Sequence, residues 1–261
     1  MTLGNKEILS LLIKAKAKVA ARTDSYTGPS GTAFQAAAST GDLEIAKLLV
    51  SRGAKVDVSA EAILCAASGG NIEFVKYLEE RKANLRAKGP QGEQSTHRGA
   101  SNTEMLRYLL SRSADPVAKD NTGTQPIHIA ARAQNLASVV LLVEAGADVN
   151  APITSPTDYF LNGRHPLDLA VEPRESPPGE AIYRDLAAFL ISKGADVNAK
   201  DADGSSALHF ASGESVITLL LDHGAKVDVV DKWGNQPIHR AASRDDVAAL
   251  NVLLARGANL T

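Results

Sequence analysis

Along the 261-residue chain, short apolar runs recur at nearly regular intervals, each followed by two variable residues and Gly-Ala. The run reads Leu48-Leu49-Val50-Ser51-Arg52-Gly53-Ala54 early and Leu141-Leu142-Val143-Glu144-Ala145-Gly146-Ala147 in mid-chain. Phe189-Leu190-Ile191 precedes Gly194-Ala195, Leu219-Leu220-Leu221 precedes Gly224-Ala225, and Val252-Leu253-Leu254 precedes Gly257-Ala258. Weaker copies close at Lys82-Ala83 and Ser113-Ala114, and a truncated one closes at Lys16-Ala17. The closing alanines fall at 17, 54, 83, 114, 147, 195, 225 and 258, so the spacings are 37, 29, 31, 33, 48, 30 and 33. Each run predicts a helix halted by a glycine at positive φ. A unit this short cannot bury its own apolar face, so neighbouring units must stack.

A second phrase precedes the run. It reads Gln125-Pro126-Ile127-His128-Ile129-Ala130-Ala131, then Ser206-Ala207-Leu208-His209-Phe210-Ala211, then Gln236-Pro237-Ile238-His239-Arg240-Ala241-Ala242. Pro126 and Pro237 stand where a helix begins, the position at which a missing N–H costs nothing. The alanine pair lets this first helix lie close to its neighbour, and the Leu-rich second helix fills the space behind. A short extended segment such as Asp148-Val149-Asn150-Ala151 then leads out into a hairpin.

These phrases resemble the ankyrin repeat family, whose unit of about 33 residues opens D-x-x-G-x-T-P-L-H-x-A-A and closes L-L-x-x-G-A-D-V-N. Asp120…Gly123, Asp201…Gly204 and Asp231…Gly234 supply the opening; Ala147-Asp148-Val149-Asn150 and Ala195-Asp196-Val197-Asn198 supply the close. The resemblance covers nearly the whole chain. It implies an all-α ankyrin-repeat solenoid, in which helix-turn-helix units joined by short β-hairpin loops stack into a curved α–α superhelix. A single repeat domain of about seven and a half units is expected: an N-terminal half repeat at 1–22, then units at 23–57, 58–86, 87–118, 119–150, 151–199, 200–229 and 230–261.

Departures from the repeat are where this chain is individual. Lys16, Lys82 and Ser113 stand where glycine is expected, and each costs on the order of 1 kcal/mol if the left-handed conformation is kept. The 87–118 and 200–229 units are short, which predicts tighter helix-to-helix turns. The 151–199 unit is expanded twice. Pro152 to Asn162 lengthens its hairpin with Tyr159, Phe160 and Leu161, and Glu172 to Glu180 lengthens the turn between its helices. The expansion reads as a tolerated loop or as a partner-specific contact, since loops on a rigid scaffold carry function.

Composition narrows the chemistry. The net charge of −2 argues against a general polyanion binder, although residues 1–130 carry 17 Lys/Arg and 13 Asp/Glu while residues 131–261 carry 11 and 17. That asymmetry biases the approach of a charged partner without naming it. A single cysteine, Cys65, rules out an intramolecular disulfide. No apolar run nears the roughly 20 residues of a membrane span, and none resembles a cleaved signal. A cytoplasmic, monomeric protein with no membrane association is expected, with signal-less secretion into another cell left open.

Among the six histidines, His97, His128, His209 and His239 occupy the H of the repeat phrase, where the resemblance implies a hydrogen-bonding role between hairpins. His165 replaces the Thr of the phrase, and His223 lies in the variable pair before Gly224. Neither H-x-x-x-H nor C-x-x-C spacing occurs, so no metal site, cofactor or catalytic residue is expected. Asp245-Asp246 sits at a helix-to-helix turn and reads as a cap. Lys14, Lys16, Lys18 and Arg22 form a basic patch on the N-terminal helix but lack the stacking aromatics of a nucleic-acid site.

The expected function is a non-enzymatic interaction scaffold that holds a partner protein on its concave hairpin and first-helix surface. By resemblance, the variable positions flank the hairpin Gly and follow the Ala pair. They are Asn121, Thr122, Thr124 and Arg132; Ala202, Asp203 and Ser205; and Lys232, Trp233, Asn235 and Arg244. Tyr26, Ser39 and Thr40 hold comparable N-terminal places, and Tyr159 and Phe160 add the insertion. Trp233, the only tryptophan, heads this set because large aromatics dominate interface energetics. Adaptor, inhibitor or immunity-type protein, and secreted effector are alternatives within this reading. An enzyme with its site in the 151–180 insertion is the rival from another class.

Overall fold

The computed structural model describes residues 22–23, 31–51, 56–155, 160–173 and 180–259. The chain divides into two compact units, Met1–Asp115 and Pro116–Thr261. The expected half repeat at 1–22 lies outside the described residues, apart from the backbone of Arg22.

In the first unit, strand β1 (Arg22–Thr23) pairs antiparallel with β2 (Gly31–Thr32). Three helix pairs follow: α1 (Ala33–Thr40) with α2 (Leu43–Ser51), α3 (Ala60–Ser68) with α4 (Ile72–Glu79), and α5 (Ser95–Gly99) with α6 (Thr103–Ser111). The first helices α1, α3 and α5 pack in series. Their contact is built on small residues: Ala37, Ala38, Ala66 and Ala67 are at most 1% exposed. Gly99 serves the same end in α5, where a Cβ would come within 2.8 Å of Leu109. Behind them the second helices supply Leu49, Phe74, Leu78, Met105 and Leu109, all fully buried, with Phe34 edge-on to Phe74 at 5.6 Å.

The second unit holds four pairs: α7 (Pro126–Arg132) with α8 (Leu136–Glu144), α9 (Pro166–Val171) with α10 (Glu180–Ser192), α11 (Ala207–Phe210) with α12 (Glu214–Asp222), and α13 (Pro237–Ser243) with α14 (Val247–Ala255). First helices stack on first helices, and second on second. Pro126, Pro166 and Pro237 each open their helix. Within each unit this is a helical solenoid of stacked two-helix repeats.

Second helices end as the sequence requires. Gly146 takes φ 96°, its N–H donates to the Val143 carbonyl, and the Ala147 N–H donates to Leu142. Lys82 at φ 71° and Ser113 at φ 61° keep the same paired bonds without glycine. Lys16 lies outside the described residues.

The short units differ from expectation. Their helix-to-helix turns are not tightened: three residues separate α5 from α6 and α11 from α12, as they separate α7 from α8. The deletion is taken from the first helix, which shrinks to five residues in α5 and four in α11. Reversing the chain needs the full turn, whereas a helix can lose its last turn and still present its buried face.

Candidate functional site

In the second unit each regular hairpin hangs on one carboxylate. Asp120 Oδ1 accepts the N–H groups of Thr122 and Thr124 at 2.8 and 3.0 Å. Asp201 Oδ1 accepts those of Asp203 and Ser205, both at 2.9 Å. Asp231 Oδ1 accepts those of Trp233 and Asn235 at 2.9 and 2.8 Å. Aspartate bonding to its own chain two and four residues on makes a tight turn, and Gly123, Gly204 and Gly234 complete it at φ 74–80°. The two residues after the Asp are thereby raised to the tip.

At the last tip these are Lys232 and Trp233. Trp233 is 57% exposed. The Lys232 ammonium stands 4.4 Å from the indole centroid and the Arg240 guanidinium 5.7 Å from it, so two cations lie against the one indole ring. Lys232 Nζ also reaches Asp203 Oδ1 of the preceding hairpin at 2.6 Å, and Arg240 bonds Asp231 at 2.8 Å. Burial pushes the Asp231 carboxyl up, but the N–H donors of Asn235 and Trp233 and the Arg240 guanidinium outweigh it and hold the carboxyl below its ordinary range.

One helical turn beyond Arg240, Arg244 donates to the carbonyl oxygens of Phe210 and Ala211 at 3.2 and 3.3 Å. The Phe210 ring in turn carries the Arg164 guanidinium 3.8 Å from its centroid. Arg164 is 5% exposed and binds Glu172 at 3.1 Å. Arg164 comes from the insertion, whose base closes like a regular hairpin through Ile153 N–H to the Arg164 carbonyl at 2.9 Å.

The expected contact residues separate on this geometry. Trp233, Lys232 and Arg244 share the exposed surface of the last repeat. Arg132, Asn121 and Phe160 are also exposed, Phe160 at 85%. Thr122 and Thr124 are half-buried, their hydroxyls joined at 2.8 Å. Asp203 is tied to Lys232, and the Asn235 amide to Asp231. Ser205 departs from expectation: it is 3% exposed because its N–H and carbonyl close the hairpin on Asp201. Ser39 and Thr40 are exposed. Tyr26, Tyr159, Lys14, Lys16, Lys18 and the Arg22 side chain lie outside the described residues.

Sequence reasoning passed over Phe210, Arg240 and Arg164. Phe210 and Arg240 fill the place between His and Ala in the phrase, where the first copy has Ile129. That variation was the available signal.

The histidines are occupied. Nδ1 of His97, His128, His209 and His239 each accepts the N–H three residues back at 2.9–3.1 Å. His128 Nε2 reaches the Ala151 carbonyl at 2.8 Å and His209 Nε2 that of Asn235 at 3.2 Å, each in the following hairpin. At the departing position, the His165 N–H donates to Asp168 at 2.7 Å, and that carboxylate raises the imidazole's affinity for a proton. Asp246 caps α14 through the Ala249 N–H and accepts Ser212 and Gly213 from the preceding repeat. Among the described residues, no group of His, Cys, Asp and Glu is placed to hold a metal ion, and no helix is long and apolar enough to cross a membrane.

The family model for ankyrin repeats matches residues 34–120, 63–153, 100–175 and 180–261. The chain belongs to the ankyrin repeat family. It is 34% identical over 83 residues to the human BCL-6 corepressor-like protein 1, covering 30% of this chain and 5% of that protein. It is 38% identical over 72 residues to serine/threonine-protein kinase 12 of Arabidopsis thaliana, covering 26% and 16%. It is 38% identical over 86 residues to a putative ankyrin repeat protein of Rickettsia felis, covering 30% and 23%. The match thus spans less than a quarter of any of these three relatives. In three dimensions the human ASB11 ankyrin repeat domain superposes with a TM-score of 0.69 at 21% identity, over 88% of this chain and all of that domain. Ankyrin repeats are generally protein–protein interaction modules and typically non-enzymatic scaffolds.

Proposed function

We propose that this chain binds a partner protein through the hairpin-tip and first-helix surface of its second unit, with Trp233 as the anchor. The supporting observation is a large aromatic left 57% exposed at a hairpin tip and framed by two cations. Solvent exposure of an indole is unfavourable in the free protein, and covering it is the kind of contact that dominates interface energies. Arg244, Arg132 and Lys232 extend the surface, and the exposed Phe160 offers a further contact from the insertion.

Two described carboxylates of the expanded repeat favour binding over catalysis there. Asp168 is 1% exposed and committed to the His165 N–H, and Glu172 is committed to Arg164. Co-purification with mass spectrometry identifies the partner, and calorimetry with the purified pair tests the surface. Trp233→Ala is expected to weaken binding at least about tenfold; an unchanged affinity overturns the assignment.

A further inference from the structure

The basic side chains around the last hairpin are not distributed like those of the unit that carries them. Residues 116–261 hold 12 Lys/Arg and 18 Asp/Glu, a net of −6. Yet Lys232, Arg240 and Arg244 converge on the surface that carries Trp233, and the buried Arg164 backs it through the Phe210 ring. Three carboxylates answer them, and each is already committed: Glu172 to Arg164, Asp203 to Lys232, and Asp231 to Arg240. Asp231 is also fully buried at its side chain, so it offers nothing to solvent. Asp246, near by, is consumed by Ser212, Gly213 and Ala249.

Arg244 is the cation left over. It is exposed, and its hydrogen bonds go only to main-chain carbonyls at the end of α11. It is the residue that closes α13, four after Arg240 and near enough for the two like charges to repel. Partial desolvation where the guanidinium meets the Phe210 and Ala211 carbonyls, with the nearness of Arg240 and Arg164, lowers its hold on its proton, partly offset by Glu172 and Asp246. A guanidinium kept beside two others, with both of its hydrogen bonds made from Nη1, is an arrangement that a carboxylate completes.

We infer that the segment seated on this surface is an acidic stretch of protein, whose carboxylates pair with Arg244 and the solvent side of Arg240 and Lys232 while an apolar side chain covers Trp233. The inference rests on the binding role proposed above. A short acidic segment fits better than nucleic acid, because a long polyanion would extend past the patch over a unit whose net charge is −6 and be repelled by it.

The test uses the full chain and fluorescein-labelled peptides that alternate Glu with Leu or Gln with Leu, alongside single-stranded DNA. Anisotropy is expected to show the Glu peptide binding at least about tenfold tighter than the Gln peptide at low salt, the gap closing as salt rises. Arg244→Gln and Trp233→Ala, each checked for an unchanged melting profile, should both weaken the Glu peptide. Equal binding of the two peptides, both lost in Trp233→Ala, overturns the acidic preference and leaves the surface itself standing. Glu-peptide binding untouched by either substitution overturns both. No binding of the Glu peptide, or tighter binding of DNA, overturns the inference.

Discussion

His128 Nε2 lies 2.8 Å from the carbonyl oxygen of Ala151, 23 residues on in the next hairpin, while its Nδ1 accepts the Gln125 N–H at 3.0 Å. An imidazole that accepts at Nδ1 must carry its proton on Nε2, so the ring is neutral and donates to Ala151. A second proton would set Nδ1–H against the Gln125 N–H.

A pH dependence follows from this geometry. Burial lowers the His128 pKa from 6.5 to about 4, the bond to Ala151 opposing but not offsetting it. The folded value lies below the unfolded one, so the stabilisation is fully present above about 6.5 and is lost as pH falls toward 4. The shift corresponds to about 3 kcal/mol for this fully buried ring. His209, lowered by burial in the same setting, acts in the same direction. Urea midpoints should therefore fall steeply across this window, and His128→Asn should lower stability near neutral pH while flattening the slope. Titration of the His128 ring by NMR at or above the ordinary histidine value would sink the account.

Two non-glycine stops offer a gain. Lys82 and Ser113 hold left-handed backbone at the ends of α4 and α6, each with the paired bonds that Gly146 makes. Lys82→Gly and Ser113→Gly should each stabilise by up to about 1 kcal/mol, less the glycine's extra unfolded-state entropy. The reverse change is graded by surroundings. At Gly224, with nothing within 4 Å of a Cβ, alanine should cost about 1 kcal/mol. At Gly163 the Cβ would fall 2.3 Å from the Ala202 nitrogen of the next hairpin, so the same change should cost about 2–3 kcal/mol. Equal losses at the two glycines, by denaturant melts, would contradict the packing argument.

What the sequence made legible was what is local. The glycine stops, the Pro that opens three of the first helices and the imidazole after the first turn are fixed within a few residues, so their pattern could be read directly. Trp233 was legible for the same reason, because Asp231 and Gly234 fix its place at the tip. Its frame was not: Lys232 is held by Asp203 from another repeat, and Arg240 approaches from the following helix. Ser205 looked available because its neighbours in the phrase vary, yet closing the hairpin buries it. Arg164 was hidden by the insertion, since its register against Ile153 spans a stretch that no repeat spacing reveals.

The insertion provides an independent check on the binding surface. Phe160 is 85% exposed, so Phe160→Ala should leave thermal stability unchanged to within about 0.5 kcal/mol. If the insertion touches the partner, affinity for the co-purified protein should fall about tenfold, as for a modest aromatic contact. Calorimetry of this variant showing no loss would assign the expansion to a tolerated loop and leave Trp233 as the anchor.

Arg164 separates support from contact. Its guanidinium covers Phe210 at 3.8 Å, binds Glu172, and donates to the Asp168 carbonyl at 3.3 Å. Its Nε has no partner among the described residues, and Glu172 keeps 38% of its side chain in solvent. Breaking a fully buried pair costs about 3–5 kcal/mol, but this pair is half wet at one end, so Arg164→Ala should cost about 2 kcal/mol. Arg164→Lys should recover little, because an ammonium cannot lie flat on Phe210 while bonding both oxygen partners. Since Arg164 itself is only 5% exposed, any loss of partner affinity should track the loss of folded protein. A variant that melts normally yet binds more weakly would instead place Arg164 in direct contact with the partner, and the groove would then extend into the expanded repeat.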